Sequence, residues 1–350
     1  VEQLTKLVGG SNPAVGLLTA RVNMAQQKWL EAQQLLETVR PQANTISDTT
    51  RQIDLYLGQC YEKLGQFDRQ LEANQRVLSG DPNSVAARIG AAAALAASGR
   101  KDQALAEYEV IFNAMAPDDV SAFAQLWNPL LQLRIDSQLT KPSAERSWTD
   151  VDALVELLGA SPRINDAQIA ILRADVMVRK EQGREAVSLL REALGKDPAS
   201  QPLLGALLTL ALRFEGVDAA KAILEESPAE SRKTVAVMTL EASVAARDTA
   251  ENGAAALAAL ETRVAELPTV EQPAVINAIA SAYGAIGRPD DAVRAYRSLL
   301  ERTPDNLTTW DALFRLAEQR GNIELAEEAS RSIARLAGDN SAEAKVAEAA

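Results

Sequence analysis

The residues in this chain with the clearest capacity for chemistry are two adjacent acid pairs, Asp118–Asp119 and Asp290–Asp291. Two carboxylates held apart by the right distance perform general acid and base work on glycosidic bonds. Each pair, however, stands at an expected turn-to-helix junction, where acidic groups favour the positive end of the helix dipole. A helix start accounts for both pairs, and no spacing supports a hydrolase, although one built from distant acids stays open. The sequence contains no histidine and a single cysteine, Cys60. The usual base near neutral pH is therefore missing, and no zinc site of the nitrogen and sulfur type can be assembled. Cys60 precedes Tyr61 in an expected helix and reads as a small packed residue; one cysteine excludes an internal disulfide. Gly195-Lys196 has the look of the end of a phosphate loop. Asp197 stands where Ser or Thr is required, and no earlier glycine accompanies it. It reads as a helix end before Asp197-Pro198. No catalytic, cofactor or metal residue is assigned, and the expectation is a protein that is not an enzyme.

The elements that would position any site are helical. Hydrophobic residues make up 47% of the sequence but aromatics only 4%; the apolar content is mostly Ala and Leu, which favour helices. Gly65 and Gly99 lie one 34-residue period apart, as do Gly287 and Gly321. A fixed period of this size marks a solenoid. Each glycine ends a first helix, because it accepts backbone angles that other residues resist. Asp81-Pro82, Asp197-Pro198 and Thr303-Pro304 close second helices, since proline cannot continue one. The segment 51–84 carries Leu57-Gly58, Tyr61, Leu64-Gly65, Phe67 and Val77-Leu78. The segment 273–306 carries Ile279-Ala280, Tyr283, Ile286-Gly287, Ala292, Tyr296 and Leu299-Leu300. The segment 307–340 carries Trp310, Leu313, Ala317, Gly321, Ala326 and Ile333.

This pattern resembles the tetratricopeptide repeat family, in a divergent bacterial-type form, whose signature is W-x2-L-G-x2-Y, then A-x3-F, then P. Ala104-x3-Tyr108 and Ala292-x3-Tyr296 fit its second-helix part. Asp54 stands where Trp is expected, Gln70 where Ala is expected and Phe314 where a small residue is usual. The resemblance implies an all-α fold, a right-handed α-solenoid of stacked antiparallel helix hairpins forming a superhelix. One hairpin cannot bury its apolar face alone; stacked neighbours bury it for each other.

The period fails between Pro82 and Pro198. Val120, Phe123, Ala124 and Trp127 predict a helix that Pro129 kinks or restarts, and Leu130, Leu131, Leu133 and Ile135 continue an apolar stripe. Ser137 to Arg146 reads as a polar linker. Ser147 and Asp150 have the spacing of a capping box before Val151, Leu154, Val155 and Leu158, and Gly159 and Pro162 end that helix. The expected organisation is repeats over 1–118, a divergent hairpin over 119–165, degenerate repeats over 166–268, and clear repeats with a terminal helix over 269–350. A flexible boundary between two sub-arrays is the alternative for the middle segment. In the degenerate part, Ala186, Leu190 and Ala193 mark one helix, Leu204, Leu207, Leu208 and Leu212 the next, and Ala219, Ala222 and Leu224 its partner. Val235, Met238, Ala242 and Ala245 mark another, and Leu257, Leu260, Val264 and Leu267 a helix ending at Pro268. Leu4, Leu7 and Val8 resemble the second helix of a preceding repeat, and Ser341 to Ala350 read as a frayed or capping helix.

The formal net charge is −12, with a pI near 4.8. A nucleic-acid binder carries a basic footprint, so none is expected as a partner. Arg331 and Arg335 beside Glu327 and Glu328, and Arg294 and Arg297 beside Glu301, read as solvated helix faces. No apolar run approaches the roughly 18 residues of a membrane span, and direct membrane contact is not expected. No signal peptide is visible. The chain starts with Val, which points to a fragment of a longer product; the compartment is open between cytoplasm and, with an upstream export signal, cell envelope.

The resemblance implies a partner, a protein or peptide held on the concave side by first-helix residues. Carried onto this sequence, those positions are Gln52, Leu55, Gln59 and Glu62; Asn277, Ser281 and Gly284; and Asp311, Arg315, Glu318 and Gln319. The hairpin from Val85 offers Ile89 and Ala93. A Lys/Asn clamp for a C-terminal carboxylate, known in part of the family, lacks its residues here, with Leu55 and Gln59 in the first clear copy. Trp127 and Trp148 are a further candidate surface, against ordinary helix packing. The expected function is a protein-interaction scaffold; a structural spacer, a self-assembly module of a longer chain or the regulatory arm of an enzyme are the alternatives.

Overall fold

A computed structural model describes residues 13–43, 47–116 and 124–337. Among the described residues there are eighteen α-helices and no strand. They fall into two compact units, Val1–Asn165 and Asp166–Ala350.

The first unit runs α1 (Pro13–Ala25), α2 (Trp29–Val39), α3 (Ser47–Lys63), α4 (Phe67–Gly80), α5 (Val85–Ala97), α6 (Lys101–Ala114), α7 (Ala124–Leu139) and α8 (Thr149–Gly159). Each helix packs on the next, and α1, α3 and α5 also pack side by side. Leu36, Ile53, Leu57, Tyr61 and Ala73 form one of its buried clusters. The second unit runs α9 (Asp166–Arg179), α10 (Gly183–Lys196), α11 (Gln201–Phe214), α12 (Val217–Glu226), α13 (Val235–Ala245), α14 (Ala250–Val264), α15 (Gln272–Ala285), α16 (Pro289–Arg302), α17 (Leu307–Arg320) and α18 (Ile323–Ala337). Here too each helix meets its successor, and α9, α11, α13 and α15 contact one another in series. This alternation of sequential and skip-one contacts is the packing of a solenoid, in which each repeat buries its neighbour's apolar face.

The turns are made as the glycines predict. Gly65, Gly99, Gly287 and Gly321 have φ of 69°, 80°, 74° and 64°. Behind each, the next N–H donates to the carbonyl five residues back; Gln66 N reaches Tyr61 O at 2.8 Å and Arg288 N reaches Tyr283 O at 2.9 Å. That is the left-handed helix-capping motif for which glycine is suited. Two equivalent turns lack glycine: Gln27 and Glu181 take φ of 60° and 66°, and Lys28 N and Gln182 N close the same bond onto Asn23 and Met177. Helix starts at Ser84, Thr234, Thr249 and Asn306 are capped by their own side chains.

Several local expectations are corrected. Pro129 lies inside one continuous helix and does not restart it. That helix runs to Leu139, into the segment expected as linker, which also holds a 3-10 turn at Ser143–Glu145. No capping box forms at Ser147: Trp148 occupies the cap position and its side chain does not cap the helix, and the Ser147 hydroxyl instead lies 3.2 Å from that of Thr149. In α12 the buried residues are Ala220 and Ile223, one position from the stripe expected at Ala219, Ala222 and Leu224. The last helix before Pro268 stops at Val264, leaving Leu267 buried beyond its end. Leu4, Leu7, Val8, Asp118, Asp119, Val120, Phe123 and Ser341 to Ala350 lie outside the described residues, and Ala124 is described only as part of its helix.

Candidate interaction groove

The sequence-derived candidates occupy wet helix faces. On α3, Gln52, Gln59 and Glu62 are exposed and Leu55 is half-buried; their spacing puts all four on one side. On α15, Asn277, Ser281 and Gly284 are exposed, and the Ser281 hydroxyl lies 3.1 Å from that of Tyr296. On α17, Glu318 and Gln319 are exposed, while Arg315 pairs with Asp311 at 3.0 Å, one turn away. Ile89 and Ala93 on α5 are partly covered, as are Trp127 and Trp148.

The acid pair Asp290–Asp291 sits in the first turn of α16, as its helix-start interpretation requires. Asp291 accepts from Arg288 at 2.9 Å and also pairs with Arg294. Burial works against its ionised form, but these two guanidiniums outweigh that and hold the carboxyl below the usual aspartate range. Asp290 pairs with Arg320 at 2.6 Å. Arg294 and Arg297 reach across helices to Glu261 and Glu328, where Glu301 was the expected balance. Cys60 is fully buried, and burial pushes its thiol up to about 11. Gly195-Lys196 is the end of α10. No cluster of three or more metal-ligating side chains occurs among the described residues.

The concave feature that does stand out was not legible from the family positions. A groove of about 540 Å³ lies in the second unit along α9, α11 and α13. Ile171 and Ala174 form one wall, Pro202, Gly205, Ala206 and Leu210 the middle, and Ala236 and Leu240 the far wall; Leu190 of α10 closes the floor. None of the residues inferred from the family pattern lines it. Gly205 is open: a methyl group there would meet only the Leu240 side chain, at 3.8 Å. The opposite side of α11 is the core, where Leu203, Leu204, Leu207, Leu208, Ala211 and Leu212 are buried. The helix is thus apolar on both the packed and the open face. That doubled pattern is visible in its sequence, QPLLGALLTLALRF, since a helix that needs only one buried face shows a single stripe.

Polar groups in the groove are few. The Thr209 hydroxyl donates to Gly205 O at 2.8 Å, and Thr234 caps α13. Asp175 supplies the one charged side chain in the lining. It is half-buried and has no hydrogen-bond or ion-pair partner among the described residues. A second cavity of about 560 Å³ lies on α17 and α18, where Phe314, Ala317 and Ala326 mix with Glu318, Glu327 and Arg331. No helix among the described residues is long and apolar enough to cross a membrane.

No protein-family model and no curated protein matches the sequence. Solved structures do resemble the fold. A tetratricopeptide repeat protein from Parabacteroides merdae superposes with a TM-score of 0.50 at 14% identity, over 76% of this chain and 98% of the other. The C-terminal part of a repeat-containing protein from Cytophaga hutchinsonii gives a TM-score of 0.46 at 13% identity, over 85% and 99%. Helix pairs closed by left-handed turns, first helices meeting in series, and the likeness to the Parabacteroides structure together identify the chain as having the tetratricopeptide repeat fold.

Proposed function

We propose that this chain is a protein-interaction scaffold and that the α9–α11–α13 groove takes an apolar segment of a protein partner. The observation that carries this is α11, whose open face holds Gly205, Ala206 and Leu210 beside Ile171 and Leu240. Apolar surface left in water on a well-packed helix gains free energy when covered, by about 25 cal/mol per Å². Small residues along the middle of the groove let a partner backbone approach closely, while a protein of this acidity stays soluble. No chemistry of its own is assigned to the chain, and no cofactor, metal or nucleic acid enters the proposal.

Photo-crosslinking tests it. A benzophenone side chain placed at Thr209, exposed within the groove, should capture a protein in an extract of the source cells. The same group at Asp218, exposed on α12, should not. Gly205→Trp, whose Cβ meets only the Leu240 side chain in ordinary contact at 3.8 Å and so places the indole in the groove, should abolish the adduct. Equal labelling at both sites, or labelling indifferent to Gly205→Trp, overturns the proposal. An adduct between two copies of the chain would instead identify self-assembly.

A further inference from the structure

We infer that the groove discriminates by charge, and that its occupant is an apolar peptide segment carrying a lysine or arginine placed to meet Asp175. This rests on the groove being a docking surface, as proposed above. The inference starts from which polar groups in the groove are already committed. Thr209 is bonded to the carbonyl of Gly205 and Thr234 to the N–H of Val237. Gln201 is exposed at the groove's edge. Asp175 alone combines a formal charge, partial burial and no partner among the described residues. Arg179, one turn further along α9, is exposed and makes no ion pair with it among the described residues.

An occupant seated against Ile171, Ala206 and Leu240 strips water from the Asp175 carboxylate. A desolvated anion left unpaired opposes binding, whereas one met by a cation in a low-dielectric setting favours it. An apolar segment with a neutral or acidic residue at that point is therefore rejected, and one with a guanidinium or ammonium is retained. Rejection of the wrong partner contributes to specificity as much as attraction of the right one.

The test is selection of twelve-residue random peptides displayed in vitro, with the full chain as bait and the Gly205→Trp chain as counter-bait. Peptides retained by the first and not by the second should combine apolar residues with at least one Lys or Arg. In a synthetic peptide from this pool, replacing that basic residue by Gln should weaken binding about tenfold. Asp175→Asn should weaken the parent peptide similarly and erase the difference between the two peptides. The peptide-side substitution needs no altered protein, so a folding defect cannot mimic it. Groove-dependent peptides without basic enrichment, or a basic preference that survives Asp175→Asn, overturn the charge inference and leave the docking surface standing. A pool in which nothing discriminates against Gly205→Trp overturns both.

Discussion

Asp54 occupies the place where the repeat pattern expects tryptophan, and a buried carboxylate there needs an explanation. Its side chain is 3% exposed and is held by Arg40 at 2.7 Å and Arg76 at 2.7 Å. The bond with Arg40 is two-pronged, Nε and Nη2 each reaching one oxygen, the geometry that suits a guanidinium to a carboxylate. The signature's aromatic anchor is replaced by an ion cluster. Gln70, in place of the small Ala, donates to Gly90 O at 3.1 Å. The amide of Asn74 fills the space left by Gly58 and Gly90, where added methyl groups would fall 2.9 and 2.6 Å from it. These departures from the family pattern were visible as letters; their compensation was not, because the partners come from neighbouring helices. Asp54→Asn keeps the shape and removes the charge from two arginine contacts. It should lower stability by about 1.5–3 kcal/mol, read from urea midpoints at constant slope.

At the scale of the element, helices and turns were readable where one residue type has one physical use. Glycine in the left-handed region gave four turns. Gln27 and Glu181 take the same angles without announcing it, since stacking on either side fixes the turn against a local preference. Gln27 is exposed, and Gln27→Gly should raise stability by about 0.5–1 kcal/mol, visible as a higher melting temperature. Gly253 presents the opposite case. It lies inside α14, where alanine would normally help by about 1 kcal/mol, but a methyl group would stand 2.5 Å from the carbonyl oxygen of Ala245. A backbone atom cannot swing aside, so Gly253→Ala should cost about 1–2 kcal/mol, measured by the same denaturation. The face of α12 was misplaced by one position because Ala219 and Ala222 satisfy the spacing as well as Ala220 does. The groove was missed for a related reason. Ile171, Ala206 and Leu240 are the residue types of a core, and the family's polar groove positions drew attention to α3, α15 and α17. Only the apolar residues on both the packed and the open face of α11 could have indicated it.

At the scale of the molecule, net charge and the open groove act against each other. Copies carrying a formal charge of −12 repel, while bare apolar floors attract. As the pH approaches 4.8 the repulsion disappears, and light scattering should report association. Gly205→Gln and Ala236→Gln leave the charge unchanged and make the groove wetter; together they should reduce the scattering at that pH. Association unaffected by them would place the adhesive surface elsewhere. The ion cluster around Asp54 has a different reach. Arg40 follows α2, Asp54 lies in α3 and Arg76 in α4, so consecutive hairpins are bolted together by charge as well as by apolar contact. Breathing of either one must release the same carboxylate. Amide protons of α2 and α4 should therefore trade with heavy water at a shared rate, as a single cooperative block.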